Sequence, residues 1–268
     1  MPAINPARLK RQAADLAARY SDPAAFVRDL HYLLDLYSDH THRKGQAGEP
    51  SPLLDTYNAP PQVIRTVWLE LALQIKHNPA AALPLCDALW SEPNYDLRLL
   101  AARLLGSLPG EPPEPVVDRL QEWVCQIPEQ GILDGILQFG FTGLKEDAPE
   151  KLVELVSTWL ESSDICLQQA GLRALLILVD QPGSEHLPSV FRLLTPFIRT
   201  APSQLRPDIL AVLTALAVCS PSETAYLLRQ NLSAPDNPDT AWIIRQVMDQ
   251  FPAETRLSLR EEIKRSNV

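Results

Sequence analysis

NYDLRLLAARLLGSL, residues 94–108, decides the fold of this 268-residue chain. Leu97, Leu100, Ala101, Leu104, Leu105 and Leu108 recur at three- and four-residue steps, the spacing that draws one apolar stripe along a helix. The same period runs outward in both directions. Proline marks many of the expected helix starts. Asn5-Pro6, Asp22-Pro23, Asn78-Pro79 and Asn237-Pro238 each put a capping side chain before a residue whose φ is already helical. Pro60, Pro149, Pro202 and Pro221 read the same way, while Pro109, Pro128 and Pro252 read as stops or turns.

These marks predict helices over 6–20, 23–38, 60–77, 79–91, 95–108, 113–127, 129–144, 149–161, 164–180, 186–200, 203–219, 221–233, 237–251 and 253–265. No segment reads as a strand, and 10 glycines against 25 prolines suit helices better than β-turns. The first members of successive helix pairs begin near 60, 95, 129, 164, 203 and 237, so the steps are 35, 34, 35, 39 and 34. A sustained period of this size means stacked helical repeats, because one pair is too small to bury its own apolar face. AGLRALLILV, 170–179, is apolar nearly all round, as expected of a helix covered on both sides.

The repeat type resembles HEAT. Asp96, Arg98, Ala101, Ala102 and Leu105-Gly106 follow that pattern, and SSDICLQQAGLRALL, 162–176, carries a second copy in Asp164, Ala170 and Leu172. The resemblance implies that Asp96 and Arg98 bond between neighbouring units. The expected architecture is all-α, a right-handed α-solenoid of HEAT-like repeats forming one domain over 1–268. It has an N-terminal helical cap at 6–38, a loop at 39–59 and about six two-helix repeats in 60–265.

Composition narrows the function. The chain is 46% hydrophobic, enough for a sizeable core, and its longest apolar run, ALLILV at 174–179, is far short of the roughly 20 residues that span a bilayer. MPAINPARLKRQ has no apolar stretch after its basic residues, so a cytoplasmic location without membrane contact is expected. Cys86, Cys125, Cys166 and Cys219 are widely spaced and read as small buried hydrophobes. Net charge is −9: residues 1–78 hold nine cations and eight anions, residues 79–268 fifteen and twenty-five. That argues against nonspecific polyphosphate binding but leaves room for a local basic groove. Arg8, Lys10 and Arg11, with Arg43-Lys44, are the one cationic concentration and read as a solvated face. Asp39, His40 and His42 lack a second cluster to complete a metal site, and His31 reads as a satisfied interior group. No phosphate loop, G-x-S-x-G or H-E-x-x-H is present, so no cofactor or metal is expected.

The layout also resembles the alkylpurine DNA glycosylases, a HEAT-like enzyme family. YNAPPQVIRTVWLELA, 57–72, looks like the start of that family's third helix, and ALWSEPNYDLRLLAARLL, 88–105, like the segment that follows. The similarity extends from about 20 to 230. It implies an enzyme that holds a nucleotide against aromatic side chains while a carboxylate stabilises the developing sugar cation and an arginine grips the backbone. The family's Trp-Asp-x-x-Asp run falls on GILDGILQFG, 131–140. There Leu133 takes the place of the tryptophan, Asp134 the first aspartate and Leu137 the catalytic one. Sliding the register to make Asp134 catalytic puts Gln130 at the tryptophan. The family's arginine falls among Gln168 and Gln169, with Arg173 a turn later, and its second tryptophan falls in ILAVLTALAV, 209–218.

Asp134 is therefore the candidate catalytic carboxylate, with a second reading beside it. Gln130, Asp134, Gln138 and Thr142 recur every four residues and would make Asp134 a solvated charge near a helix start, opposite Leu133, Ile136, Leu137 and Leu144. The candidate binding residues are Arg65, Trp68, Trp90, Arg98 and Arg173; on the DNA reading the three arginines form a basic stripe. Two functions follow. One is a non-catalytic binding module for a protein or peptide partner. The alternative is a diverged alkylation repair protein that binds duplex DNA or excises bases from it.

Overall fold

Asn5 accepts hydrogen bonds from the amides of Ala7 and Arg8 at 3.1 Å and opens α1, Pro6–Ala17. Asp22 accepts from Ala25 and opens α2, Pro23–Tyr37. Helix α3, Pro61–His77, starts at the second proline of its pair. Three of the expected proline starts fail, and after Pro202 the helix begins only at Arg206. Asn78-Pro79 begins only a 3-10 turn before α4, Ala82–Ser91. The Asn237 amide turns back to the carbonyls of Asn231 and Leu232, capping the end of the previous helix instead of starting the next. The computed structural model describes residues 4–38, 54–126, 130–179 and 186–266. Asp39, His40, His42, Arg43, Lys44, most of the 39–59 loop and Pro128 lie outside them.

The regular elements among the described residues are all helices, apart from one isolated bridge between Asp55 and Asn94. After α4 come α5 (Tyr95–Gly106), α6 (Glu114–Cys125) and α7 (Gln130–Gly135), then a π-helical turn over Ile136–Gly140 and α8 (Thr142–Asp147). Then follow α9 (Pro149–Glu161), α10 (Ile165–Val179), α11 (Leu187–Arg199), α12 (Arg206–Cys219), α13 (Pro221–Leu232), α14 (Thr240–Val247) and α15 (Ala253–Ser266). The chain divides into two compact units, Met1–Leu152 and Val153–Val268.

In the first unit α1, α3, α5 and the α7–π–α8 rod pack in sequence as one layer; α2, α4 and α6 cover it as the other members of the pairs. Trp90 of α4 stacks on Trp123 of α6, centroids 4.3 Å apart and planes within 7°. In the second unit α10, α12 and α14 pack in sequence, as do α11, α13 and α15. The cores are aliphatic: Leu97, Leu100, Ala101, Leu104 and Leu105 of α5 are fully buried, as the stripe requires. Of the cysteines only Cys86 is buried. Cys125, Cys166 and Cys219 are exposed, because they occupy first or last turns of α6, α10 and α12, where the apolar stripe has run out.

Four aspartates reach back to an earlier segment. Asp96 accepts from Thr56 Oγ1 at 3.0 Å and the Tyr57 amide at 2.9 Å, and Asp147 from the Gly110 amide at 2.8 Å. Asp208 accepts from Gln169 Nε2 at 3.0 Å and Arg173 Nε at 2.9 Å; Asp239 accepts from the Ala201 amide at 2.9 Å and Arg206 Nη2 at 3.2 Å. Asp96 thus makes the expected link to a preceding element. Arg98 also reaches back: its Nε donates to the carbonyl of Glu92, the C-cap of α4, at 3.1 Å. Asp96→Ala strips the acceptor from a part-buried amide and hydroxyl, a loss of about 1–3 kcal/mol. Hydrogen exchange at the Tyr57 amide should speed up accordingly; unchanged protection there would show that other contacts hold the segment.

Candidate functional site

The glycines of GILDGILQFGFTG are explained by what lies against them. A Cβ on Gly131 would sit 2.9 Å from Tyr95 Oη, on Gly135 2.2 Å from Leu99 Cδ2 and on Gly143 2.3 Å from the Leu108 carbonyl oxygen. A Cβ on Gly140 would sit 2.9 Å from Leu120 Cδ2, and across the seam one on Gly106 would sit 1.7 Å from the Phe139 carbonyl oxygen. The rod carrying Asp134 is therefore pressed against α5 closely enough for backbone to meet backbone. At about 100° per residue an unbroken α-helix would put Gly140 about 180° from Gly131. The π turn takes in one extra residue, and Gly140 returns to within about 80° of Gly131, with Gly135 and Gly143 closer still.

The same extra residue aligns the opposite side. Asp134, Gln138 and Thr142 are all exposed and project within about 60° of one another, while Ile136, Leu137 and Leu144 are buried. The four-residue polar stripe is real from Asp134 onward; the Gln130 side chain lies outside the described set. Leu137, where the resemblance places the catalytic aspartate, is only 2% exposed. Leu133 is half-buried.

Among the binding candidates, Arg65 is exposed and Trp68 half-buried on α3. Trp90 is buried, its indole Nε1 donating to Gln126 at 3.1 Å and its face covered by the Arg98 guanidinium at 5.0 Å from the centroid. Trp90 and Arg98 are thus brought together, but the Trp90 ring belongs to packing rather than to the edge of a groove. Burial lowers the Arg98 pKa. Arg173 lies in the second unit, its side chain 12% exposed and ion-paired with an Asp208 carboxylate that is 8% exposed. It is paired with its neighbour on α12.

Sequence reasoning missed two features. One is Arg103 of α5, whose guanidinium lies 4.1 Å from the centroid of Phe139, on the same rod as Asp134. The signal was present: Tyr95, Leu99 and Arg103 recur every four residues and meet Gly131, Gly135 and Phe139 in turn. The other is a polar cavity of about 310 Å³ lined by His31, Asp55, Thr56, Tyr57, Glu92, Pro93 and Asn94. His31 bridges the Tyr57 hydroxyl, 2.6 Å from Nδ1, and Glu92, 3.2 Å from Nε2. It is satisfied, as expected, but at a rim rather than in the interior. Burial and then the charges of Asp35, Glu92, Asp96 and Asp55 raise the Tyr57 pKa, so its hydroxyl stays protonated and able to donate.

Charge is segregated in the first unit. Helices α1, α3, α5, α7 and α8 carry eight cations (Arg8, Lys10, Arg11, Arg65, Lys76, Arg98, Arg103, Lys145) against six carboxylates, a net +2. Helices α2, α4 and α6 carry two cations against six carboxylates, a net −4. No group of three or more His, Cys, Asp or Glu among the described residues is placed to hold a metal ion, and no helix among them is long and apolar enough to cross a membrane.

The regular elements of the described residues are thus all helical, and the first unit carries a net-positive helix layer that includes the exposed Asp134. The model of the DNA alkylation repair enzyme family matches residues 55–203, more than half of the chain, and the protein belongs to that family. No curated protein matches the sequence.

Proposed function

We propose that this protein acts on alkylated duplex DNA, with the α1, α3, α5 and α7–α8 layer toward the DNA and Asp134 as its carboxylate. The observation that carries this reading is the position of Asp134. It is exposed, inside the matched segment, on the rod where the sequence resemblance puts the family's acidic pair, and that rod belongs to the cationic layer. In excision the carboxylate would stabilise the sugar cation that develops as the base departs. The back-reaching aspartates, separated from their partners by 33 to 40 residues, support HEAT-like repeats as the scaffold.

The test is release of 7-methylguanine from alkylated duplex by the wild type and by Asp134→Asn. Losing a group that acts on charge in the transition state should slow release on the order of 10²-fold or more. Release that Asp134→Asn leaves untouched would remove Asp134 from the chemistry.

A second reading is favoured by Leu137, which is buried where the family's catalytic aspartate belongs, and by the commitment of Arg173 to Asp208. On that reading the chain is a non-catalytic HEAT-like module. Tight DNA binding without base release would select a binding role on DNA. No DNA binding at roughly 50 mM salt would leave a protein or peptide partner, with the acidic α2, α4 and α6 layer suited to a basic one.

A further inference from the structure

We infer that Arg103 is a phosphate-binding residue that holds the DNA backbone beside Asp134, in a place where the sequence offers no arginine by resemblance. The inference rests on the DNA reading above and goes further by naming the residue and the group it grips. Most arginines with a carboxylate at hand use it: Arg119 pairs with Asp87, Arg173 with Asp208, Arg206 with Asp239 and Arg229 with Glu262. Arg103 is half-buried and has no carboxylate partner among the described residues. A guanidinium that has lost part of its water and gained no anion is poised for one, and its planar fork suits phosphate.

The Phe139 ring beneath it removes the freedom that such a long side chain would otherwise lose on binding. Burial lowers its pKa, but a guanidinium stays charged at neutral pH. The projection that aligns Asp134 with Gln138 puts Phe139 within about 40° of Asp134, roughly one turn along the rod. A phosphate on Arg103 would therefore lie on the side of the rod that presents Asp134. Arg103 also sits in the last turn of α5, and its neighbours along the stripe, Tyr95 and Leu99, carry no charge that would repel an anion.

The experiment is an anisotropy titration of a fluorescein-labelled duplex of about 20 base pairs carrying one 7-methylguanine, between roughly 50 and 200 mM salt. Each phosphate contact contributes about 0.9 to the slope of log affinity against log salt, so Arg103→Gln should lower that slope by about 0.9. Arg103→Lys keeps the charge and should keep the slope with weaker binding. Arg28→Gln removes the same charge from α2, in the acidic layer, and should leave the slope alone. Wild-type binding with an unaltered slope in Arg103→Gln overturns the assignment while leaving the DNA reading standing. Equal slope losses in Arg103→Gln and Arg28→Gln overturn it as well, since bulk charge would then explain the effect. Failure of the wild type to bind at the lower salt overturns both this assignment and the reading beneath it.

Discussion

Gly106→Ala should destabilise the first unit by about 3 kcal/mol, although alanine is the better helix former by about 1 kcal/mol. The added Cβ would sit 1.7 Å from the Phe139 carbonyl oxygen, 2.7 Å from its carbon and 3.1 Å from Gly140 Cα. All three are backbone atoms, so no side chain can swing aside; α5 and the π turn must separate. Separation would also pull Phe139 from under Arg103 and tilt the rod that carries Asp134. Urea unfolding followed by circular dichroism would show a lower midpoint, and base release or DNA binding should fall even where the protein stays folded. A midpoint unchanged or raised would mean that the seam is looser than the structure has it. Gly171→Ala is the useful comparison, since its Cβ meets Leu160 side-chain carbons at 2.7 and 2.8 Å, and a side chain can shift.

Asp208→Ala should cost about 3 kcal/mol, for a different reason. Asp208 is the acceptor for both Gln169 and Arg173, and the Arg173 side chain is only 12% exposed. Removing the carboxylate takes the acceptor from the Gln169 amide and from the part-buried Arg173 Nε together. Replacing both members, Asp208→Leu with Arg173→Met, should cost less than Asp208→Ala alone, because apolar side chains then fill the place of the part-buried ion pair. If the double variant were the less stable of the two, the pair would be contributing net stability. Neither change should alter the salt slope of DNA binding, since Arg173 is occupied and Arg103 is not.

Much of the helix order was legible because it rests on local rules. The stripe of NYDLRLLAARLLGSL, the capped prolines at 6 and 23, and the uncapped starts at 149 and 221 each act within one or two turns. Where a start was misplaced, a nearby competitor had won. Asn237 bonds to the preceding helix end, which lies within reach of its amide, and α14 begins at Thr240 instead of 237. The burial expected of Cys125, Cys166 and Cys219 failed because helix-terminal positions escape the stripe that covers helix middles.

The site was less legible. Asp134 could be singled out as the lone carboxylate of an apolar run, and its exposed stripe could be drawn. The π turn could not be read, since nothing in ILQFG demands it until α5 presses on the glycines either side. Arg98 was expected to bond to a neighbouring unit, but the particular partners of Arg98 and Arg173, the Glu92 carbonyl and Asp208 of α12, come only from the tertiary structure. Arg103 drew no reading from the sequence, because the Phe139 ring beneath it comes from a separate segment.

By itself, then, the sequence determined helix type, approximate boundaries and period, because those depend on contacts a few residues apart. Tertiary structure alone decided which arginine keeps its charge available, which face of the Asp134 rod meets solvent and which charges share a layer. Each of those depends on groups brought together from tens of residues away, and on backbone spacing that only the absent side chains of facing glycines permit.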